Sequence, residues 1–223
     1  MPYIRPLPTP RSNALKTHAL GFRALAMVAL IGLPVAASVA PGAASAQNQS
    51  EGYKFLNAVR ESKNNEVLEM LGRPGSSIVN ARDVTTGEGA LHIVIKRGDE
   101  TYLRFLLQKG ADANLRDGKG NTPLLLAVTL GQTDMIPILT AAKANPNLGN
   151  SAGETPLIRA VQRRDIGMIR TLLTEGADPD QADIIAGMSA RDYAKQDGRN
   201  VVVTKLLADA PTKTRKAVSG PKF

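Results

Sequence analysis

The sequence predicts an all-α protein built as a solenoid of helix–turn–helix units, and three periodic features indicate this fold. Residues 120–128 (GNTPLLLAV) and 153–161 (GETPLIRAV) are nearly the same nine residues, 33 positions apart. Leucines keep that period at Leu91, Leu124 and Leu157. Polar turn residues keep it at Asp112, Asn145 and Asp178. Two independent markers with one period over three units are the signature of a repeat protein.

The repeated stretch resembles the T-P-L-H-x-A signature of the ankyrin-repeat family, whose unit has about 33 residues. The best matches are TPLLLAV (122–128) and TPLIRAV (155–161), while GALHIVI (89–95) keeps the leucine and the histidine only. The GAD motifs at 110–112 and 176–178 match the helix-ending turn of that family. The resemblance covers about 53–210 and implies helix pairs joined by β-hairpin-like turns.

Each signature residue has a local physical role. Thr122 and Thr155 are expected to cap helix starts by accepting from a backbone N–H that lacks a partner. The prolines after them suit the first helical position, where a missing N–H costs nothing. Gly110 and Gly176 suit the left-handed residue that ends a helix.

We predict five units, three clear and two degenerate. The terminal units are caps, since each covers one open face of the array. Two departures stand out in the middle unit. If Thr133 caps its second helix, Pro137 falls in the first turns and distorts the start. Lys143 replaces the helix-ending glycine, so this turn is expected to be strained. The approximate bounds of the units are 52–83, 84–117, 118–150, 151–183 and 184–210.

The first 46 residues have the organisation of a secretory signal peptide. Residues 24–40 are uncharged and follow Arg23, and Ala44-Ser45-Ala46 provides a small-residue cleavage site. We expect cleavage after Ala46, a short linker at 47–52 and a periplasmic mature protein. The alternatives are an uncleaved membrane anchor, for which 17 residues broken by Pro34 are marginal, and an organelle transit peptide.

Composition excludes several classes of function. The chain has no Cys, so disulfides, thiol catalysis and Cys-based zinc sites are absent. The formal charge of +8 resides at the two ends, because residues 1–46 and the tail at 211–223 each carry four basic residues and no acid. The body at 47–210 is charge-balanced, which argues against nucleic acid as a partner. The tail is expected to be a solvated basic segment.

No catalytic or cofactor motif is found. His92 lies at the signature histidine, whose ring is expected to bond backbone between neighbouring units. Residues 118–120 lack the spacing of a phosphate loop, and residues 112–117 lack the ligand order of a calcium loop. We therefore expect no enzyme activity, no metal and no cofactor.

The resemblance implies that a partner binds the concave surface, at the turn tips and the exposed ends of the first helices. We expect a monomer with a protein partner that presents an acidic patch, since this face is mildly basic, and membrane contact only if the leader is uncleaved. The alternative is a small-molecule or metal-responsive stress-protection protein. The predicted partner-binding residues are Arg60, Thr85, Glu88, Lys96, Arg97, Lys119, Asn121, Thr129, Leu130, Glu154, Arg159, Gln162 and Arg163.

Overall fold

The computed structural model describes residues 42–211, and the predicted all-α solenoid is confirmed there. A 3₁₀ turn at Ile78–Asn80 and one isolated bridge, Ala182 with Ser189, accompany the helices. The helices are α1 (Gly42–Arg60), α2 (Asn64–Leu71), α3 (Ala90–Arg97), α4 (Glu100–Gln108), α5 (Pro123–Leu130), α6 (Met135–Ala141), α7 (Pro156–Gln162), α8 (Ile166–Thr174), α9 (Ala190–Asp197) and α10 (Val201–Asp209).

The helices form two rows. The odd-numbered first helices pack against one another along the array, and each even-numbered second helix packs on the first helix of its unit. The repeated leucines of both rows are buried, at Leu91, Leu124 and Leu157 and at Leu106, Leu139 and Leu172. Ala127 and Ala160 are also buried, and their small side chains allow close approach of neighbouring helices. The sequence period is therefore the period of the core.

The helix starts follow the predicted chemistry. The Oγ1 atoms of Thr122 and Thr155 each accept from the backbone N–H three residues later, at 3.2 Å. Gly89 occupies this position in the preceding unit and has no side chain to offer. There the His92 ring supplies a different bond, because its Nδ1 accepts from the Gly89 N–H at 3.2 Å.

The second helix of the middle unit starts late. Asp99 and Asp165 cap α4 and α8 with their side chains, whereas Gln132 stands at the equivalent place. Thr133 does not act as the cap, since α6 begins only at Met135. Its first bonds span three residues, from Met135 N–H to Gln132 and from Ile136 N–H to Thr133. The distorted start is thus confirmed, and the missing Asp cap contributes to it along with the proline.

The turn at Lys143 is left-handed, as the missing glycine predicted. Lys143 has φ 66°, and the equivalent Gly110 and Gly176 have φ 85° and 88°. A side chain with a Cβ in this region strains the backbone. The backbone of the middle turn is therefore less favourable than that of the two equivalent turns, which have glycine.

The β-hairpin-like turns between units stack on one another through one repeated backbone bond, and we call this row the turn stack. The N–H of Gly118 donates to Thr86 O at 2.7 Å, and that of Ser151 donates to Lys119 O at 3.1 Å. The N–H of Ile184 donates to Ala152 O at 2.9 Å. The stack thus continues one hydrogen-bond pattern from unit to unit.

An asparagine ladder joins the units on the other side of the turns. The side chain of Asn114 donates to Lys143 O at 3.0 Å and accepts from Asn145 N–H at 2.8 Å. Asn80 makes the same pair of bonds to the next unit, and so does Asn147. The sequence signal was present, since the three asparagines lie 34 and 33 residues apart, but we did not predict this role.

The first helix extends beyond the predicted unit. It begins at Gly42, inside the predicted leader, and continues through the predicted linker at 47–52. The rest of the leader and the tail from residue 212 lie outside the described residues. Within 42–211, none of the helices combines the length and the apolar character needed to cross a membrane.

Candidate protein-interaction surface

The ends of successive first helices line up. Together with the adjoining turns they form one surface, which we call the first-helix face. Most of the predicted residues lie here and are exposed. Glu88, Asn121 and Glu154 are only half-exposed and lie where the turns enter the helices, and Arg159 lies half-exposed within α7. The helix-end residues are Arg60, Lys96, Arg97, Thr129, Leu130, Gln162 and Arg163, and the exposed turn residues are Thr85 and Lys119.

Three of the predicted cations each form an ion pair with a carboxylate of a turn. Arg60 Nη2 lies 2.7 Å from Asp83 Oδ2. Lys96 Nζ bonds Glu88 Oε1, and Arg159 Nη2 lies 2.6 Å from Glu154 Oε2. Each pair joins a first helix to a turn. The carboxylates of these turns therefore neutralise much of the basic character that the sequence predicted for this face.

Two further cations bridge neighbouring units. Arg97 Nη1 donates to Val59 O and to Ser62 Oγ, each at 2.8 Å, and its Nη2 lies 3.0 Å from Asp99 Oδ2. Arg163 Nη1 donates to Thr129 O at 2.9 Å. Arginine can make several such bonds at once because its guanidinium carries five donors. Both side chains thus have a structural role at the first-helix face.

Asp83 is the most strongly perturbed acid of this surface. Its pKa is lowered from 3.8 to about 2, first by the backbone N–H of Thr86, then by Arg60 and by the N–H of Thr85. Its Oδ1 accepts from both N–H groups, at 2.9 Å from Thr85 and 3.0 Å from Thr86. The carboxylate is therefore fixed in its charged form as part of the turn.

Asn121 and His92 also form hydrogen bonds within the fold. Asn121 Nδ2 donates to Asp117 Oδ2 at 2.9 Å, and its backbone carbonyl lies 3.1 Å from His92 Nε2. The ring thus links two units, as the signature position predicted. Burial lowers the pKa of His92 below its usual value of 6.5, so the ring is held neutral.

Four predicted residues keep uncommitted side chains. Within the described part of the chain, the side chains of Thr85, Lys119 and Gln162 make no hydrogen bond or ion pair. Leu130 is 46% exposed, and the equivalent positions of the neighbouring units hold the charged residues Arg97 and Arg163. These residues are free to contact a partner without breaking a bond of the fold.

A shallow groove lies beside Gln162, between α7 and α9. It has a volume of about 260 Å³ and is also lined by Tyr193, Gln196, Arg164 and Asp197. Arg164 Nε lies 3.0 Å from Asp197 Oδ2, and Tyr193 donates its hydroxyl to Asp183 at 2.5 Å. Sequence reasoning missed Tyr193, because its place in the last unit is one residue out of phase with the others.

The described residues offer no centre of the metal-binding kind. Between residues 42 and 211, no group of three or more His, Asp or Glu side chains is arranged to hold a metal ion. The described face is a set of fixed ion pairs around a few free polar and apolar side chains. Such an arrangement suits recognition of another molecule's surface.

Comparison with known proteins gives the family. A family model described as ankyrin repeats (3 copies) matches residues 55–150 and 91–183, which together make up more than half of the chain. An ankyrin-repeat protein of Acanthamoeba polyphaga mimivirus is 34% identical over 87 residues, which are 38% of this chain and 12% of that protein. An ankyrin-repeat protein of fowlpox virus is 45% identical over 42 residues, 19% of this chain and 22% of that protein.

A third relative is an ADP-ribosylation factor GTPase-activating protein of Arabidopsis thaliana. It is 39% identical over 59 residues, which are 26% of this chain and 8% of that protein. The chain therefore spans less than a quarter of the length of each of these three relatives. What the relatives share with it is the repeat region. This chain belongs to the ankyrin-repeat family, whose repeats form protein-interaction modules.

Proposed function

We propose that the chain is a non-catalytic interaction module that binds a protein partner through the first-helix face. Exposed Leu130 is the observation that carries this proposal. The equivalent positions of the flanking units hold Arg97 and Arg163, so the fold does not require an apolar residue there. An apolar anchor within a polar rim is the usual anatomy of a protein interface.

Two arginines of the first-helix face are already ordered. Arg163 is held on Thr129 O, and Arg159 is held on Glu154. A partner that meets these side chains loses little conformational entropy in fixing them, and this favours binding. Gln162 and the groove beside it extend the same surface toward α9.

The acidic patch that we propose for the partner would contact Lys119 first, because its ammonium group has no internal ion pair. Four other cations, Arg60, Lys96, Arg97 and Arg159, must exchange an internal carboxylate for one of the partner, and Arg163 must give up its bond to Thr129 O. Exposed ion pairs contribute about 0–1 kcal/mol each, so such an exchange adds little affinity. Charge would therefore select the partner more than it tightens the complex.

We further propose that the module acts outside the cytoplasm, as an exported bacterial protein. The uncharged segment at 24–40 and the Ala44-Ser45-Ala46 site support this. Cleavage after Ala46 would remove only the first five residues of α1, and the buried Phe55, Leu56 and Val59 of that helix would remain in the mature chain. Mass measurement of the protein from its own cells should give a chain that begins at Gln47. A retained leader would contradict cleavage and favour the membrane-tethered form.

Affinity capture tests the binding face. The wild-type protein and its variants serve as bait, and partners that the wild type enriches are then titrated individually. Leu130→Asp should weaken binding of such a partner by about tenfold or more, the effect of losing a central anchor. Lys119→Glu should weaken it less.

Arg104→Glu is the matched control for the charge change. Arg104 is exposed on α4, in the second row of helices, and makes no ion pair with the described residues. Its reversal should leave binding unchanged. Binding that survives Leu130→Asp and Gln162→Asp in folded protein would refute the assignment of this face.

A further inference from the structure

The turn stack has an unused hydrogen-bonding group at each end. In each internal contact, the donor is the residue after the Asp or Asn that opens a turn, namely Gly118, Ser151 or Ile184. Val84 follows Asp83 in the same way in the first turn. Among the described residues, nothing accepts a hydrogen bond from the Val84 N–H.

The unused acceptor lies at the other end. In each internal contact, the acceptor lies three residues before the helix cap, at Thr86, Lys119 or Ala152. The equivalent residue before the Ser189 cap is Ala186. Within 42–211, no group donates to its carbonyl oxygen. The stack therefore ends in an open donor and an open acceptor of the same repeated bond.

Glycines mark the surfaces that meet in the stack. A Cβ on Gly87, Gly120 or Gly153 would lie only 2.6–2.7 Å from the backbone nitrogen of the next turn. Gly187 is the equivalent residue of the last turn, with the same left-handed backbone, φ 66°. A Cβ there would meet nothing within 4 Å. The last turn thus carries the flat surface that receives a following turn elsewhere, and it is uncovered.

Among the described residues, three of the four large apolar side chains that are more than 70% exposed lie at these two ends. Val84 is 77% exposed at one end, and Ile184 and Ile185 are 76% and 81% exposed at the other. Inside the chain, Ile184 lies directly over Gly153. Val84 is a β-branched residue at the same turn position, so it has the shape to lie over a Gly187 in the same way. Exposed apolar residues that adjoin one another, as Ile184 and Ile185 do in the sequence, favour association.

We propose that copies of this chain associate end to end through the turn stack. Val84 of one copy lies over Gly187 of the next, its N–H donates to the Ala186 carbonyl, and its side chain packs beside Ile185. The contact repeats the internal bond between Ile184 and Ala152, which is why the occupant is a second copy of this chain. It is a head-to-tail contact between two different surfaces.

The contact belongs to the turn side of the array. On the other side, Asp180 stands where the asparagine ladder would continue, and its Oδ1 lies 2.7 Å from Arg191 Nε. Arg191 also donates to the Ala210 carbonyl at 2.7 Å. The asparagine ladder thus ends on Arg191 of the last unit, whereas the turn stack has no such partner at its end among the described residues. This proposal replaces the monomer expected from the sequence and does not depend on Leu130.

Sedimentation velocity over a range of concentrations tests the association, with the mature protein purified from its own cells. The wild-type mass should rise with concentration to at least about twice that of the monomer. Val84→Asp and Ile185→Asp each block one end and should each remain monomeric alone. An equimolar mixture of the two should form dimers and nothing larger, because each variant keeps the end that the other lacks.

Leu130→Asp is the control, since it adds the same charge to an exposed apolar residue away from both ends. It should leave self-association unchanged while it weakens partner capture, so the two proposals can fail separately. A wild type that is monomeric at every concentration would overturn the proposal. Val84→Asp that still dimerises alone would also overturn it, since the contact would then be symmetric. Self-association lost only on removal of another bound protein would identify that protein as the occupant instead.

Discussion

Replacing Lys143 with glycine should stabilise the protein. The left-handed backbone costs an L residue about 1–2 kcal/mol. Glycine removes this cost but has more freedom to lose on folding, about 0.5–1 kcal/mol. No contact is sacrificed, since the Lys143 N–H bond to Thr140 and its carbonyl bond to Asn114 are backbone interactions. The net gain is about 0.5–1 kcal/mol, which raises the melting temperature by about 2–3 °C in a chain of this length.

The reverse exchange at the equivalent turn is the matched control. Gly110 has φ 85°, and a Cβ there would meet nothing within 4 Å, so Gly110→Lys tests the backbone conformation alone. It should lower the melting temperature by a similar amount, and the double variant should lie near the wild type. Thermal unfolding followed by circular dichroism measures all three. A neutral or destabilising Lys143→Gly would refute the idea that this turn is strained.

Three further predictions concern single interactions, each measured by thermal or denaturant unfolding. Asn114→Ala removes two bonds of the ladder and should cost about 1–2 kcal/mol; no loss would mean that water replaces them fully. The pKa of Asp83 is about 2 in the folded chain and near 3.8 when unfolded, so its stabilisation is complete above pH 4 and is lost as the pH falls to 2. Asp83→Asn should therefore lose less stability across that window, and an unchanged pH slope would contradict this. Burial lowers the pKa of His92, so the unfolded chain takes up the proton first and wild-type stability falls below pH 6.5. His92→Leu should flatten that slope, and a slope equal to the wild type would show that another group is responsible.

The parts of the fold that the sequence predicted are those with local causes. Thr122 and Thr155 cap through a bond to the residue three positions on, and such signals lie within one unit. The start of α6 could not be predicted in the same way. Its position depends on the loss of an Asp cap at Gln132 as well as on Pro137, and Gln132 instead donates to Ile95 O in the preceding unit. We also did not predict the left-handed backbone of Arg164, which has φ 57° where two neighbouring units have glycine.

For the candidate site, the sequence predicted which helix-end side chains are exposed but not which of them form ion pairs within the chain. The helix-end residues are exposed as expected, since their place follows from the repeat. The ion pairs of Lys96 with Glu88 and of Arg159 with Glu154 lie within eight residues and could have been predicted from their proximity. The bond from Arg97 to Val59 O spans two units and depends on how the helices pack. For this reason, the sequence alone overestimates the free positive charge of the face.

Hydrogen exchange of the complex with a captured partner tests the central claim most directly. Binding through the first-helix face should slow exchange at the ends of α5 and α7 and in the turn at 118–121, and leave the second helices α4 and α8 unchanged. Protection confined to the second helices, or none on the first-helix face, would contradict the account.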